Sequence, residues 1–327
     1  MDDSGSIRVD DHIVAESSGA TLRDEAVRAL RGSPKVLSPS WLYDDRGSEL
    51  FDEITRLDEY YPTEAERSIL QAHAGDIAVA TGVDTIVELG SGTSDKTRTL
   101  LDAFHERGTL RRFVPVDVSR ATLVDAAHAL AGRYPGLGVH AVVGDFTRHL
   151  HHLPQDRRRL VAFLGGTIGN LFVEERRAFL GALADVLRPG EWLLLGVDLV
   201  KPVQRIVDAY DDRHGVTAAF VGNALHVLNR ELAADFDVGA FDYVPMWDAR
   251  EERMDLRLRP AEPQHVHLGA AGVDIDIAAG EELHVEISAK FRTDRLTDEL
   301  DDLGFDTRHV WTDDRADFAL LLAGRRD

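Results

Sequence analysis

The sequence predicts an α/β protein with a doubly wound parallel sheet and a second, smaller α+β domain. Short apolar segments alternate with helical patterns through the middle of the 327-residue chain. A glycine-rich turn follows the first of these segments. After Val200 the pattern changes to short alternating segments, which are typical of antiparallel strands. Together these observations indicate a parallel sheet covered on both faces, followed by a region of a different class.

The elements of the parallel sheet follow in chain order. Residues 1–17 predict a polar leader, and Thr21–Leu30 predicts an amphipathic helix. Thr63 and Glu66 form a capping-box pattern, which predicts the start of a helix through Leu70. The predicted parallel strands are Thr85–Leu89, Phe113–Asp117, Val139–Val143, Leu160–Leu164 and Trp192–Val197. The helices predicted between them lie near Asp95–Phe104, Ala121–Ala131 and Glu174–Leu187.

The last third of the chain leaves this pattern and then returns to it. Helical stretches at Pro202–Asp212 and Val216–Ala233 precede five predicted antiparallel strands. Those strands are DYVPMWD, RMDLRLR, QHVHL, VDIDI and EELHVEISAKF. A helix at Thr297–Leu303 and strands at Thr307–Thr312 and Asp317–Leu322 then resume the α/β pattern. We therefore predict one domain from residues 65–200 plus 291–327, and a second from residues 18–64 plus 201–290.

Composition and charge narrow the function classes. The chain has 58 acidic and 37 basic residues, a formal net charge of −21, which disfavours nucleic acid and anionic membranes as partners. It contains no cysteine, which excludes disulfides and thiolate chemistry. The N-terminus is unlike a targeting peptide, and no apolar run has the length of a membrane span. We expect a monomeric cytoplasmic protein that acts on a small molecule.

The strongest motif is the glycine turn Thr85-Ile-Val-Glu-Leu-Gly-Ser-Gly-Thr-Ser94. Gly90 and Gly92 allow the main chain to approach a ligand closely, in conformations that side chains disfavour. A dinucleotide-binding turn needs a third glycine where this chain has Asp95, and a carboxylate beside a pyrophosphate is unfavourable. Glu88, two residues before the first glycine, instead resembles the first motif of class I methyltransferases, which bind S-adenosylmethionine.

Polar residues at the next two strand ends support a nucleoside ligand. Asp117 ends the second strand, where a carboxylate accepts both ribose hydroxyl protons. Asp145 and Phe146 end the third strand, as an acceptor for the adenine amine and a ring beside the base. The structural alternative is that the glycines form an ordinary turn and Asp117 caps a helix. Three strand ends in register favour the cofactor interpretation.

Candidate substrate residues lie in two places. Asn170 follows the fourth strand after a run of small residues, where its amide has hydrogen-bonding groups for an amino acid. On spacing alone, the better interpretation of Asn170 is the N-cap of the following helix. Glu286 and Ser288 share one face of the last antiparallel strand and offer partners for the two nitrogens of an imidazole. Without further information, a solvated sheet face is the better interpretation there.

A resemblance to a known family changes these interpretations. From about Ala26 to Ala323 the chain resembles the histidine N-α-methyltransferases of ergothioneine biosynthesis. The similar segments, in order, are SPSWLYDDRGSELFDEITRLDEYYPTEAE, VELGSGTSDKTR, FLGGTIGN, VDLVK, AYDDRHGVTAAF, NRELAADFD, AAGEELHVEISAKF and WTDDRADFALLLA. The resemblance implies a class I methyltransferase (Rossmann-like) sheet that binds S-adenosylmethionine, and a substrate-binding second domain.

The resemblance also implies roles for single residues. The residues implied to contact S-adenosylmethionine are Gly90, Lys96, Asp117, Asp145 and Phe146. Those implied to hold the amino-acid backbone are Tyr60, Asn170 and Tyr210, and those implied to bind the imidazole are Glu286 and Ser288. Tyr43 is implied to support the same pocket. Two departures are Leu256, where a methionine can line the imidazole pocket, and Ala289, where a cysteine can occur; Leu and Met are similar in volume.

The implied reaction is transfer of a methyl group to the α-amino group of free L-histidine, repeated to give the trimethylated betaine. Asn170 and Tyr60 are the catalytic candidates, because they would orient the neutral amine. Bulk water or a nearby tyrosine would accept the released proton. The alternatives are another amino acid or small amine as acceptor, a nicotinamide oxidoreductase, and an inactive methyltransferase-like binding subunit. The clusters at His149–His152 and His265–His267 lack a supporting carboxylate pattern, so we expect no functional metal.

Overall fold

The computed structural model describes residues 5–13, 19–94 and 96–327, so Asp95 and much of the predicted leader lie outside the described residues. Its strands are β1 (Ile7–Asp11), β2 (Lys35–Val36), β3 (Thr85–Leu89), β4 (Arg112–Asp117), β5 (Gly138–Val143), β6 (Arg159–Phe163), β7 (Trp192–Asp198), β8 (Phe241–Asp248), β9 (Arg253–Pro260), β10 (Gln264–Leu268), β11 (Val273–Ile277), β12 (Leu283–Ala289), β13 (Phe305–Thr312) and β14 (Phe318–Arg325). Its α-helices are α1 (Gly19–Arg31), α2 (Asp45–Ile54), α3 (Pro62–Thr81), α4 (Arg98–Glu106), α5 (Arg120–Arg133), α6 (Val173–Val186), α7 (Val203–Tyr210), α8 (Val216–Leu232) and α9 (Thr293–Asp302). None of the described helices is both long enough and apolar enough to cross a bilayer.

The chain divides into two compact units. The first holds β1, residues 62–199 and residues 291–327; the second holds residues 17–61 and 200–290. Each unit has its own apolar core. The core of the first unit includes Phe104 and Phe113, and that of the second includes Trp41 and Phe220.

The first unit is built on one mixed sheet. Over the described residues it has eight strands in the order β1-β5-β4-β3-β6-β7-β14-β13. The first six are parallel, and β14 is antiparallel to both β7 and β13. Every residue of β3, β5 and β6 is buried, as expected for parallel strands covered on both faces. The predicted doubly wound fold is confirmed.

The carboxyl ends of the central strands lie level with one another. Leu89 at the end of β3 is paired with Val116 of β4 and Phe163 of β6, and Asp117 is paired with Val143 of β5. From β3 the chain order runs outward to β4 on one side and to β6 on the other. The end of β3 is therefore the topological switch point, where open α/β sheets bind their ligands.

The second unit combines a small sheet with helices. Its sheet has the order β2-β12-β9-β8, with β12, β9 and β8 antiparallel and β2 parallel to β12, and β10 pairs with β11 as a hairpin. Helices α2 and α8 pack together at Gly47, where an added Cβ would lie 3.0 Å from the Asn223 side chain of α8 and 1.7 Å from the Leu42 carbonyl oxygen of the preceding turn. Asn223 of α8 donates to that oxygen at 3.2 Å and to Asp44 at 2.7 Å. These bonds fix the turn that carries Tyr43.

Two sequence predictions in the first unit are wrong. The predicted leader misses β1, which pairs in parallel with β5 along the edge of the sheet. The capping box of Thr63 and Glu66 does not form: α3 begins at Pro62, and Glu66 binds Lys96 and the Gly165 N–H instead. An ammonium group is a stronger partner for a carboxylate than an N-cap amide, which accounts for the difference.

Candidate active site

The glycine turn after β3 adopts the conformation that its sequence predicts. Gly90 has φ +66° and Gly92 has φ +49°, both in the left-handed region that favours glycine. The Gly90 N–H donates to the Val116 carbonyl at 2.8 Å, which ties the turn to β4. A Cβ at Gly90 would lie 3.7 Å from the Phe146 ring, so this glycine keeps the space beside that ring clear.

Glu88 supports the turn from beneath. Its side chain is buried, and Thr97 Oγ1 donates a short hydrogen bond to its Oε1. Burial raises the pKa of Glu88 to about 7, while the hydrogen bonds from Thr97 and Ser94 act in the opposite direction. The acidic residue that marks the motif in the sequence therefore shapes the loop, by tying its far end to β3.

Asp117 is held at the end of β4 by main-chain groups. Its Oδ2 accepts from the Gly92 N–H and its Oδ1 from the Ser119 N–H, both at 2.9 Å. Each carboxylate oxygen has a further lone pair, so Asp117 still has acceptor capacity for a diol. Asp117 thus stabilises the turn, and its role as an acceptor for ribose hydroxyls stays a prediction.

Asp145 and Phe146 form the matching end of β5. Asp145 Oδ1 accepts from the Thr147 N–H at 2.8 Å and from its hydroxyl at 2.7 Å. The Asp145 N–H donates to Nδ1 of the buried His149 at 2.9 Å, so His149 fixes this loop. The Phe146 ring packs against Phe163 at a centroid distance of 5.0 Å. The loop thus places a carboxylate and an aromatic face side by side.

Glu66 is a functional candidate that the sequence analysis missed. It is completely buried, and its carboxylate accepts from the Gly165 N–H at 2.8 and 3.0 Å and from Lys96 Nζ at 2.5 Å. Lys96 belongs to the glycine turn, and Gly165 opens the segment after β6 that leads to Asn170. One buried carboxylate therefore ties the predicted cofactor loop to the predicted substrate segment. The sequence analysis missed this role because Glu66 also fits a capping-box pattern with Thr63.

Asn170 does not cap the following helix. It ends a short 3-10 helix, Thr167–Asn170, and α6 begins at Val173 with Phe172 in the N-cap position. The Glu175 carboxylate accepts from the Phe172 N–H at 3.0 Å, so a side chain from within α6 closes that end. The cap interpretation, favoured by spacing alone, is wrong.

In the second unit, the polar face of β12 divides into two halves at a bulge between His284 and Glu286. Before the bulge, His284 contacts Asp255 at 3.1 Å and Glu282 contacts Arg257 at 2.5 Å, forming a cross-strand ion network with β9. After the bulge, Glu286 is partly buried and Ser288 is buried. The second half is therefore not the solvated face that the alternation alone would favour.

Beyond the bulge, three polar groups form a compact cluster. Tyr210 Oη and Ser288 Oγ lie 2.7 Å apart, and Lys290 Nζ donates to both oxygens at 2.8 Å. Lys290 is only 4% exposed, which is unusual for a lysine. Lys290 was not among the predicted site residues, although it shares the predicted polar face with Glu286 and Ser288. We name Tyr210, Ser288 and Lys290 the hydroxyl–ammonium cluster.

Glu286 has an apolar partner on the neighbouring strand and polar groups nearby. It is paired across the sheet with Leu256, whose side chain is buried on β9. Burial raises the pKa of Glu286 to about 8, and the charge of Lys290 acts in the opposite direction. The charge of Glu286 also contributes to a raised pKa of Tyr243, after the larger effect of burial, so this tyrosine lies within electrostatic range. A titratable group with such a pKa beside polar neighbours is typical of a binding site.

The remaining predicted tyrosines of this unit belong to one aromatic group. Tyr60 meets Tyr210 edge to face at a centroid distance of 6.2 Å. Tyr43 meets Phe51 at 6.0 Å and Phe220 at 5.4 Å, and it remains 40% exposed. Tyr60 is thus next to the hydroxyl–ammonium cluster, whereas Tyr43 lies at the rim of the aromatic group.

Comparison with known proteins decides the family. A family model described as histidine-specific, S-adenosylmethionine-dependent methyltransferases matches residues 22–325 of the chain. The chain belongs to this family. The histidine N-alpha-methyltransferase of Mycolicibacterium smegmatis is 51% identical over 314 residues, covering 96% of this chain and 98% of that protein. The protein of the same name from Mycobacterium tuberculosis is 50% identical over 319 residues, covering 98% and 99%.

More distant relatives act on other acceptors. An L-tryptophan methyltransferase from Psilocybe serbica is 28% identical over 341 residues, covering 94% of each chain. The similarity therefore extends over the whole chain length to a protein named for a different aromatic amino acid.

As a member of this methyltransferase family, the chain uses S-adenosylmethionine as its cofactor, and the loops of the first unit fit that molecule. Gly92 has no atom within 4 Å of an added Cβ, so the turn presents open main chain rather than packed side chains. Asp117 and Asp145 each keep lone pairs for further hydrogen-bond donors, beyond those filled by their protein partners. Among the described residues, no three His, Asp or Glu side chains are arranged to hold a metal ion.

Proposed function

We propose that this protein methylates the α-amino group of free L-histidine, three times in succession, to give the trimethylated betaine hercynine in the first step of ergothioneine biosynthesis. The observation that carries the proposal is the placement of the partly buried Glu286 and the buried Ser288 on one face of β12, in a chain of the histidine-specific family. A carboxylate and a hydroxyl on one face match the two ring nitrogens of an imidazole.

The cofactor residues of the proposal are those at the strand ends of the first unit. Gly90 would let the main chain approach the methionine part, Asp117 would accept from the ribose hydroxyls, and Asp145 with Phe146 would bind the adenine. Lys96 would also contact S-adenosylmethionine, with its ammonium group held by the Glu66 carboxylate. When bound, S-adenosylmethionine supplies a methyl group on a sulfonium, a leaving group that departs as a neutral thioether.

The substrate residues would hold the amino acid at both ends. Glu286 and Ser288 would bind the imidazole, while Tyr60, Asn170 and Tyr210 would hold the α-amino and carboxylate groups. The attacking amine must be neutral, because an ammonium has no lone pair, and Tyr60 and Asn170 would orient that lone pair. The proton that leaves the amine would pass to water. In-line displacement needs little else from the protein than this positioning.

A second acceptor is favoured by one specific observation, the full-length similarity to an L-tryptophan methyltransferase. An indole has one ring N–H and no ring nitrogen lone pair. It would satisfy Glu286 but leave a donating hydroxyl without an acceptor, and an unmet buried donor is costly. This difference favours histidine.

The proposal also includes that the protein acts as a monomer in the cytoplasm. Gel filtration would test the oligomeric state, and cell fractionation would test the localisation.

The test is to incubate the purified protein with S-adenosylmethionine and each of the twenty amino acids separately. Mass spectrometry would identify which amino acid gains methyl groups and how many. We expect histidine alone to gain three methyl groups, located on the α-nitrogen by fragmentation. Methylation of tryptophan in preference to histidine would establish the second acceptor, and no methylation of any amino acid would overturn the proposal.

A further inference from the structure

Lys290 is a buried cation of the second unit for which the sequence analysis predicted no role. It directly follows β12, and its main-chain N–H donates to the Glu252 carbonyl at 2.8 Å, which fixes the residue at the end of the strand. Its ammonium lies 2.8 Å from both Tyr210 Oη and Ser288 Oγ, and 4.6 Å from the centre of the Tyr210 ring. Burying a cation is costly, so this position calls for a reason beyond packing.

The hydrogen atoms in the hydroxyl–ammonium cluster can be counted. An ammonium group only donates, so Lys290 occupies one lone pair on each hydroxyl oxygen. The bond between the two hydroxyls then uses one of their two hydrogen atoms. Consequently one hydroxyl accepts two bonds, has no lone pair left, and acts toward any further group only as a donor.

The relative donor strength of the two hydroxyls decides which of them accepts two hydrogen bonds. The Tyr210 phenol is a better hydrogen-bond donor than the aliphatic hydroxyl of Ser288, because an aromatic ring stabilises negative charge on the phenol oxygen. A neighbouring ammonium strengthens that difference, because it favours negative charge on the phenol oxygen. Tyr210 therefore donates to Ser288, and Ser288 accepts from both Tyr210 and Lys290. The hydrogen atom of Ser288 is the one that remains for a ligand.

We propose that Lys290 is a positioning residue that makes Ser288 an obligate hydrogen-bond donor, so that β12 recognises a neutral imidazole. Glu286 accepts from the ring N–H, and Ser288 donates to the other ring nitrogen, which carries the lone pair. This inference rests on the proposed function and specifies the ring form that the site takes. An imidazolium is disfavoured because both of its nitrogens donate and because it is repelled by the ammonium.

The charge of Lys290 also acts on Glu286. Burial pushes the pKa of Glu286 upward to about 8, and the positive charge of Lys290 opposes that rise. Lys290 thus acts on both imidazole partners: its charge lowers the pKa of Glu286, and its hydrogen bond fixes the donating orientation of Ser288. Burial has the larger effect on Glu286, so loss of the ammonium should act mainly through Ser288.

The test is a double-mutant cycle of Lys290→Met and Ser288→Ala, with histidine KM, kcat and the Kd for S-adenosylmethionine measured for each variant. We expect each single change to raise the KM for histidine by about tenfold, the effect of one charge-assisted hydrogen bond. The double variant should also show an increase of about tenfold, because Lys290 acts through Ser288. The Kd for the cofactor should be unchanged.

A matched control separates recognition from stability. Lys35 is also a buried lysine of this sheet, 7% exposed on β2, and its ammonium pairs with Glu281 at 3.0 Å. Lys35→Met should lower the unfolding temperature while leaving histidine KM unchanged. If Lys290→Met does not fold, Lys290→Gln removes the charge with a smaller polar group and takes its place in the cycle.

The outcomes separate the two proposals. An increase of about 100-fold in the double variant would mean independent effects and would overturn the role of Lys290 through Ser288. An unchanged KM in Lys290→Met would overturn it as well. In both cases histidine methylation by the unmodified protein would leave the proposed function standing. Absence of that activity in the unmodified protein would overturn both.

Discussion

The two units hold their polar groups in different ways. At the strand ends of the first unit, three of the four hydrogen bonds that fix the Asp117 and Asp145 carboxylates come from main-chain N–H groups, those of Gly92, Ser119 and Thr147. In the second unit, Ser288 is fixed by the side chains of Tyr210 and Lys290. Main-chain bonds survive most substitutions, whereas side-chain bonds change with a single residue. The comparison indicates that the cofactor site is a property of the fold, and substrate recognition a property of a few side chains.

The strongest test of this comparison is Glu286→Ala. Loss of the carboxylate removes the acceptor for the imidazole N–H and leaves a buried space, so histidine KM should rise by about 100-fold or more. The Kd for S-adenosylmethionine, measured by calorimetry, should stay within about twofold because the residues proposed to bind it belong to the other unit. Unchanged histidine turnover would remove Glu286 from the site.

Glu282→Ala is the matched control for that variant. Glu282 lies on the same predicted face as Glu286, but the bulge after His284 separates the two, and Glu282 pairs with Arg257. Its loss should change the KM for histidine by less than about twofold, since a partly exposed ion pair contributes little. Equal effects of the two changes would show that the bulge does not divide the strand.

A variant of Glu66 tests whether a single side chain is needed to hold the proposed cofactor loops of the first unit. Glu66→Gln should weaken S-adenosylmethionine binding by about tenfold, because an amide replaces the charged partner of Lys96 and turns a donor toward other donors. Isothermal titration would measure the change. Glu64→Gln, an exposed position on the same helix paired with Arg67, is the control and should bind normally. Normal cofactor binding in Glu66→Gln would show that the loops are held without it.

The pH dependence of stability tests whether Glu88 is buried beneath the glycine turn with a raised pKa. Its pKa is about 7 in the folded protein, against an ordinary value of 4.5, so between these values the folded state keeps a proton that the unfolded chain has lost. Stability therefore falls as the pH rises through this interval. Glu88→Gln should remove this pH-dependent loss of stability. The free energy of unfolding of the variant should therefore exceed that of the unmodified protein by up to about 3 kcal/mol as the pH rises from 4.5 to 7. Denaturant unfolding at several pH values measures it, and parallel pH curves would contradict a buried, raised Glu88.

The smallest effect is expected at Tyr43. Tyr43→Phe keeps the ring contacts with Phe51 and Phe220 but removes the hydroxyl of a side chain that is 40% exposed. Histidine KM should rise by about threefold, the effect of one partly solvated hydrogen bond. A change as large as that of Glu286→Ala would place Tyr43 in direct contact with the substrate.

Local patterns predicted most of the first unit. The ends of β3 and the helical segments follow from apolar periodicity, and the glycine turn follows from residues adjacent in the chain. The errors arise where a distant partner competes with a local one. Glu66 has a local capping pattern but binds Lys96 and Gly165, far along the chain. Asn170 has the right residue type for a cap, but Glu175 closes that helix from inside.

The substrate side was less accessible from the residues alone. Alternation predicted that Glu286 and Ser288 share a face, but not that the face is buried after the bulge. Burial there depends on elements such as α7, which brings Tyr210, and these come together only in the folded unit. Lys290 was hidden for the same reason, because lysines on strands are usually exposed and only the three-dimensional structure shows its two hydroxyl partners.

The central claim is that the buried end of β12 binds the imidazole of histidine. A crystal structure with S-adenosylhomocysteine and histidine would test it most directly. We predict one ring nitrogen within hydrogen-bond distance of the Glu286 carboxylate and the other within hydrogen-bond distance of Ser288 Oγ. A complex in which Glu286 and Ser288 face solvent, with the histidine ring bound elsewhere, would contradict the claim.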